Sequence, residues 1–155
     1  MSHASNVLIR EATRADLPRI VELIQLGAVG GPLPVPEGPL SQTVEAAFVR
    51  FAASADAMVM VAEVDGVVVG TFSLTFLPNL SNGGREVAQI ESVHVAAAMR
   101  SRRVGEAMLR WAIAASKDRG CFRMQLSSNK ERTDAHRFYR RLGFVASHEG
   151  MKLPL

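Results

Sequence analysis

Cysteine is nearly absent: Cys121 stands alone in 155 residues. A single thiol can build neither an internal disulfide framework nor a cysteine-ligated metal cluster. Aromatic residues are scarce too, at 6% with one Trp and one Tyr, which leaves no platform for stacking nucleic-acid bases. Long apolar runs are missing. The two longest, Met58–Val64 and Val67–Leu77, are too short for a membrane span and are divided by Asp65-Gly66. The N-terminus has no basic-then-apolar signal pattern, so a reduced, cytoplasmic setting is expected. Fixed-period repeats and low-complexity segments are absent as well. What is present is apolar mass. Hydrophobic residues make up 48% and charged residues 21%, which excludes intrinsic disorder and suits one compact domain over residues 1–155.

Charge is unevenly placed. Residues 1–78 carry four Arg against eight Asp/Glu, a net of −4, whereas residues 79–155 carry fourteen Lys/Arg against seven Asp/Glu, a net of +7. The C-terminal half is therefore the one that attracts an anion, whether a cofactor, a nucleic acid or solvent counter-ions.

Val7-Leu8-Ile9 reads as a short first strand. Thr13, with Asp16 three residues on, forms a capping-box variant that starts a helix through Leu17, Ile20, Val21, Ile24 and Leu26, ended by Gly27. Residues 27–41 hold four prolines and four glycines, a long loop of the kind that serves either function or connection. Gln42–Ala53 is a second helix. Met58–Val64 and Val67–Leu77 are strands joined by Asp65-Gly66, a hairpin signal. Val87–Val95 is another strand, whose apolar parity moves from Ala88 and Ile90 to Val93 and Val95; a β-bulge produces such a shift, and so does burial on both faces. Val104–Lys117 is an amphipathic helix with Val104, Ala107, Met108, Trp111 and Ala115 on one stripe. Phe122–Leu126 is a strand, Arg132–Leu142 a helix capped by Gly143, and Phe144–Val145 with Met151–Leu153 a last strand pair. This order predicts an α/β fold with a mixed sheet and helices on both faces.

Two segments carry chemistry. In Arg102-Arg103-Val104-Gly105-Glu106-Ala107, a turn leads from a strand into a helix. The small Gly105 admits an anion close to backbone amides, and the helix dipole points the same way. Arg100, Arg102 and Arg103 add positive charge, which together suits a pyrophosphate; an ordinary loop with solvated arginines fits the same residues. In Ala135-His136-Arg137-Phe138-Tyr139-Arg140-Arg141-Leu142-Gly143-Phe144, the aromatics read by themselves as core positions of a helix.

Together these stretches resemble the GNAT superfamily of acyl-CoA N-acyltransferases. The resemblance covers nearly the whole chain and rests on Val93-His94-Val95, the R-x-x-G-x-A turn at 102–107, and AHRFYRRLGF at 135–144. It implies a mixed sheet that opens as a V between two central parallel strands, with acetyl-CoA between the strand ending at Val95 and that at Phe122–Leu126. The pantetheine arm would pair with the backbone of Val93 and Val95. The pyrophosphate would lie on the amides of Arg103, Gly105, Glu106 and Ala107, with Val104 in the same turn. Tyr139 occupies the general-acid position near the departing thiol, and Glu91 a place where many members carry a base. The sequence departs from the pattern in three ways: Ala107 replaces the commoner Gly, Ala96-Ala97 lacks a proline, and Arg132 stands where an asparagine is usual. Asn129, out of register, is the nearby candidate for a cofactor contact. The resemblance also implies a small-molecule or peptide amine as partner, and it allows a homodimer.

A primary amine attacks a thioester only as the neutral base, so a carboxylate in a partly desolvated cleft suits the removal of its proton. Glu91 is the acid that strand 87–95 offers, and a backbone N–H near Val93 could hold the oxyanion. Tyr139, the sole tyrosine, has a reference pKa of roughly 10, close enough to a thiol's to protonate it. Core or solvent positions are the plain alternatives for both. His94, His136 and His148 have no metal-ligand spacing, so no metal is expected; His136 is expected on the exposed side of its helix, and Cys121 in the core. Two other functions compete: a non-catalytic acyl-CoA sensor, and a basic nucleic-acid-binding module using Arg100, Arg102, Arg103, Arg137, Arg140 and Arg141. The second matches no reading motif, so neither nucleic acid nor membrane is expected as a partner.

Overall fold

The computed structural model describes residues 6–155. They fall into two compact units, the first ending at Gln125 and the second running from Leu126 to Leu155.

The first unit holds β1 (Leu8–Glu11), α1 (Leu17–Leu26), α2 (Gln42–Ala52), β2 (Ala57–Val64), β3 (Val67–Leu77), β4 (Val87–Val95), α3 (Val104–Asp118) and β5 (Arg123–Gln125). The sheet has the order β1-β2-β3-β4-β5. Every pairing is antiparallel except β4 with β5, which is parallel.

Local chemistry sets the boundaries. Before α1, the Thr13 N–H and hydroxyl both donate to Asp16 Oδ2, at 2.8 and 3.0 Å. Arg10 grips the same carboxylate at 2.7 and 3.0 Å and reaches Glu63 at 2.9 Å, so β1, the start of α1 and β2 share one guanidinium. The Arg10 hydrogen bonds hold the Asp16 carboxyl well below the usual carboxylate range, at about 2. Asp65 and Gly66 turn the β2–β3 hairpin with φ of 50° and 79°, the left-handed pair that a two-residue turn with the twist of its strands needs.

β3 is buried on both faces. Phe72, Leu74 and Phe76 lie on one, where Phe72 meets Trp111 of α3 with ring centroids 6.0 Å apart. Val69 and Thr71 lie on the other. α1 and α3 both pack against β3 and β4; α1 takes the Thr71 face, because its C-cap residue, Gly27, abuts the ring of His94, which stands opposite Thr71. Gly70 makes the α3 approach possible: a Cβ there would come within 2.7 Å of Met108 Sδ. At the far end of α3, Arg119 bonds Glu86 at 2.6 and 2.9 Å, Ala55 O at 3.0 Å and Asp56, and lies 4.2 Å over the Phe76 ring. The buried face of α3 is wider than the sequence stripe, since Leu109, Ala112 and Ser116 are buried too. Helices resting across several strands bury more than one stripe, and the Ser116 hydroxyl is satisfied by Ala112 O at 2.7 Å.

The second unit contains α4 (Thr133–Arg141). Gly143, at φ 97°, ends it with a Schellman motif. The N–H of Phe144 donates to Tyr139 O at 3.1 Å and that of Gly143 to Arg140 O at 3.0 Å. The expected last strand pair, Phe144–Val145 with Met151–Leu153, does not form, and the described residues after Gly143 are neither helix nor strand. Their apolar character satisfied the pattern, but a strand exists through a partner ladder, and Val145, Met151 and Leu153 are instead 79%, 90% and 82% exposed.

Candidate active site

The site grows from the end of β4. Thr71 pairs with His94 and Ser73 with Glu91, so Phe72 faces two residues, Ser92 and Val93. This is the bulge that the parity shift predicts, and Ser92 takes a left-handed φ of 52° to make it. Ala96 N–H donates to Val69 O at 2.8 Å, so strand alternation directs the His94 backbone toward β3 and those of Val93 and Val95 to the other side. On that side the β5 ladder spans only Val87–Gln89, while β4 continues to Val95. The parallel ladder therefore ends with β5 itself, opposite Gln89, and the backbone groups of Val93 and Val95 lie on β4 beyond it. Glu91 flanks the bulge and is exposed rather than held in a desolvated cleft; its carbonyl accepts the Ser73 hydroxyl at 3.3 Å.

From Val95 the chain enters a short 3₁₀ turn, Ala97–Met99, and then the start of α3. Ser101 and Arg103 adopt φ of 65° and 62°. Non-glycine residues rarely do so, and alternating left-handed residues make a concave backbone nest for anions. Arg103 is the N-cap of α3, and no side-chain oxygen caps the helix. Its first amides, at Val104 and Gly105, thus lie ahead of the intrahelical ladder, with the positive dipole end behind them. Arg100, Arg102 and Arg103 are exposed around the turn. Glu106 accepts Arg110 Nε at 2.9 Å, which offsets its negative charge in this first turn. The Ala107 amide already donates to Arg103 O at 3.0 Å. This is the first bond of the intrahelical ladder.

In the second unit, Tyr139 lies between Phe138 and Phe144, at centroid distances of 5.3 and 5.8 Å. The Phe144 contact accompanies the Schellman cap. Burial pushes the Tyr139 phenol up, and the positive charge of Arg132 partly opposes this. Asn129 shapes the turn before α4: its Oδ1 accepts Glu131 N–H at 2.9 Å and its carbonyl accepts Arg132 N–H at 3.0 Å. The side-chain oxygen is thus engaged locally. His136 is half-buried instead of exposed, while Arg137, Arg140 and Arg141 form the exposed side of α4. Sequence reasoning missed Ser128, whose Oγ is buried without a hydrogen-bond partner; nothing in Ser127-Ser128-Asn129 distinguishes it from an ordinary loop serine. Among the described residues, no group of three or more His, Cys, Asp or Glu could hold a metal ion.

The family model for the acetyltransferase (GNAT) family matches residues 30–144. A crystal structure of a transcriptional regulator from Bacillus halodurans C-125 is 38% identical, with a TM-score of 0.90 over 97% of this chain and 100% of that one. The glucosamine 6-phosphate N-acetyltransferase of Trypanosoma brucei brucei is 34% identical over 90 residues, 58% of this chain and 59% of that protein. The aminoalkylphosphonate N-acetyltransferase of Salmonella typhimurium (strain LT2) is 36% identical over 84 residues, 54% of each. The match therefore spans somewhat more than half the length of these two relatives. With a family match across most of its length and a bulged β4 that outruns its parallel ladder and leads to an uncapped helix, the chain belongs to the GNAT acetyltransferase family.

Proposed function

We propose that this protein transfers the acetyl group of acetyl-CoA to a primary amine by direct attack. The observation that carries the proposal is continuity: the bulged strand, its unladdered edge at Val93 and Val95, and the uncapped helix end at Val104 follow one another along the chain. An extended pantetheine arm pairs with that edge as an added strand would. The pyrophosphate settles on the amides of Arg103, Val104 and Gly105, in the first turn that includes Glu106, within the charge of Arg100, Arg102 and Arg103.

Glu91, exposed to solvent at the bulge, takes the amine's proton directly or through a water. The neutral amine then adds to the thioester carbonyl, and a backbone N–H at the bulge near Val93 stabilises the oxyanion. Tyr139, whose phenol is raised by burial and stays protonated through the neutral range, gives its proton to the departing thiolate, and the proton that the acylated nitrogen then sheds returns through water to the phenolate. The Asn129 amide nitrogen is a further donor to the cosubstrate. The two relatives named for N-acetylation act on small amines that carry a phosphate or phosphonate, which supports a small-molecule acceptor. We place the exposed loop 27–41 on the acceptor side.

A second reading is an acyl-CoA-binding regulator without turnover, favoured by the name of the Bacillus halodurans structure. One experiment separates the two. Millimolar CoA should raise the melting temperature of the parent by ligand linkage, and should not do so for Gly105→Asp, whose side chain blocks amide approach and repels the phosphates. A panel of amines, including amino-sugar phosphates, aminophosphonates and polyamines, is then assayed with acetyl-CoA for thiol release. No thermal shift removes both readings; a shift without turnover of any amine leaves the regulator.

A further inference from the structure

Gly27 has no backbone reason to be glycine. It closes α1 at φ −96° and ψ 11°, which any L-residue can adopt, and its N–H donates to Leu23 O at 3.1 Å. The reason comes from 67 positions along the chain. A Cβ on Gly27 would stand 2.3 Å from Nδ1 and 3.1 Å from Cε1 of His94. The imidazole fills the place that a side chain at position 27 would take.

His94 is half-buried and central in Val93-His94-Val95. Its ring goes to the α1 face of the sheet, while the neighbouring peptides face the side where the β5 ladder has ended. Gly27 is also the first residue of the Gly/Pro loop, whose opening turn is tied back onto α1. Gly31 N–H donates to Ala28 O at 3.3 Å, and Leu33 N–H to Gln25 O at 2.9 Å. Gly27 thus sits inside the segment that these two hydrogen bonds close, from Gln25 to Leu33.

We propose that His94 is a positioning residue for the amine acceptor: its ring fixes where loop 27–41 leaves α1, and so the spacing between that loop and the strand that receives the acyl donor. The identity of the two sides rests on the acetyltransferase reading; the contact of ring and loop does not. Misplacing a bound reactant by about an ångström costs up to ~10²-fold in rate, so this contact bears on which amine reacts.

The test uses His94→Ala, His94→Gln, Gly27→Ala and the Gly27→Ala/His94→Ala double variant. Steady-state kinetics are run on an amine from the panel, and amide hydrogen exchange is followed at residues 28–33 and in β3. Each alanine single should raise the amine KM about tenfold while the acetyl-CoA KM stays within twofold. The double variant should be less impaired than the product of the singles, because the new methyl enters the room the ring vacates. His94→Gln should retain more than His94→Ala. Exchange at 28–33 should quicken in His94→Ala with β3 unchanged. The proposal is overturned if both KM values rise together, or if loop exchange in His94→Ala equals that of the parent. Should the parent acetylate no amine at all, the functional reading falls, and the exchange measurement still decides the role of His94.

Discussion

Tyr139 poses a clear residue-scale choice, because one hydroxyl separates a helix-packing aromatic from a proton donor. Tyr139→Phe keeps the ring contacts with Phe138 and Phe144 and removes only the oxygen. As a general acid, Tyr139 predicts a fall in kcat of ~10²-fold or more, with CoA affinity and melting temperature nearly unchanged. As packing alone it predicts no kinetic change, so full turnover in a variant whose chemical step limits the rate would return Tyr139 to the core. Legibility in the sequence varied by residue in an instructive way. The cradle proposed at Gly105 with Arg100, Arg102 and Arg103 is readable because such a feature is local, built from consecutive backbone. The exposure of a side chain such as Glu91 is not local: it depends on which neighbours the fold brings to it. The meeting of His94 with Gly27 is further still from local pattern, since the residues lie 67 positions apart on different elements.

At the element scale, β3 and β4 agree with the sequence because alternation and turn chemistry bound them from within: Asp65-Gly66 fixes one end, and the parity change at Ile90–Val93 marks the bulge. The missing last strand pair shows the limit of such patterns, which report what could pair and not what does. The seat of α3 on β3 depends on the bare Cα of Gly70. Gly70→Ala should destabilise the fold by about 1–3 kcal/mol by crowding Met108, measured as a lower urea midpoint at an unchanged slope. An unchanged midpoint would mean that Met108 swings clear at no cost.

For the whole molecule, charge matters most at the seams. Arg10 joins β1, α1 and β2 through Asp16 and Glu63, and Arg119 joins α3 to the starts of β2 and β4 through Asp56 and Glu86. Hydrogen bonds from Arg10 hold Asp16 at about 2, and those from Arg119 lower Glu86. A carboxyl whose folded pKa is depressed contributes stability that is complete above its unfolded value, near 3.9, and is lost as pH falls through the folded one. The urea midpoint should therefore decline as pH drops from about 4 toward 2, and Asp16→Asn should flatten that decline; an equally steep acid limb in the variant would assign the loss elsewhere. Trp111 gives this unfolding a built-in witness. It is the sole tryptophan, it lies against Phe72 between α3 and β3, and it stands seven residues, about two helical turns, from Val104. Its emission is a single-site optical signal, free of averaging over other indoles, and it reports on the same helix whose first turn is proposed to meet the phosphates.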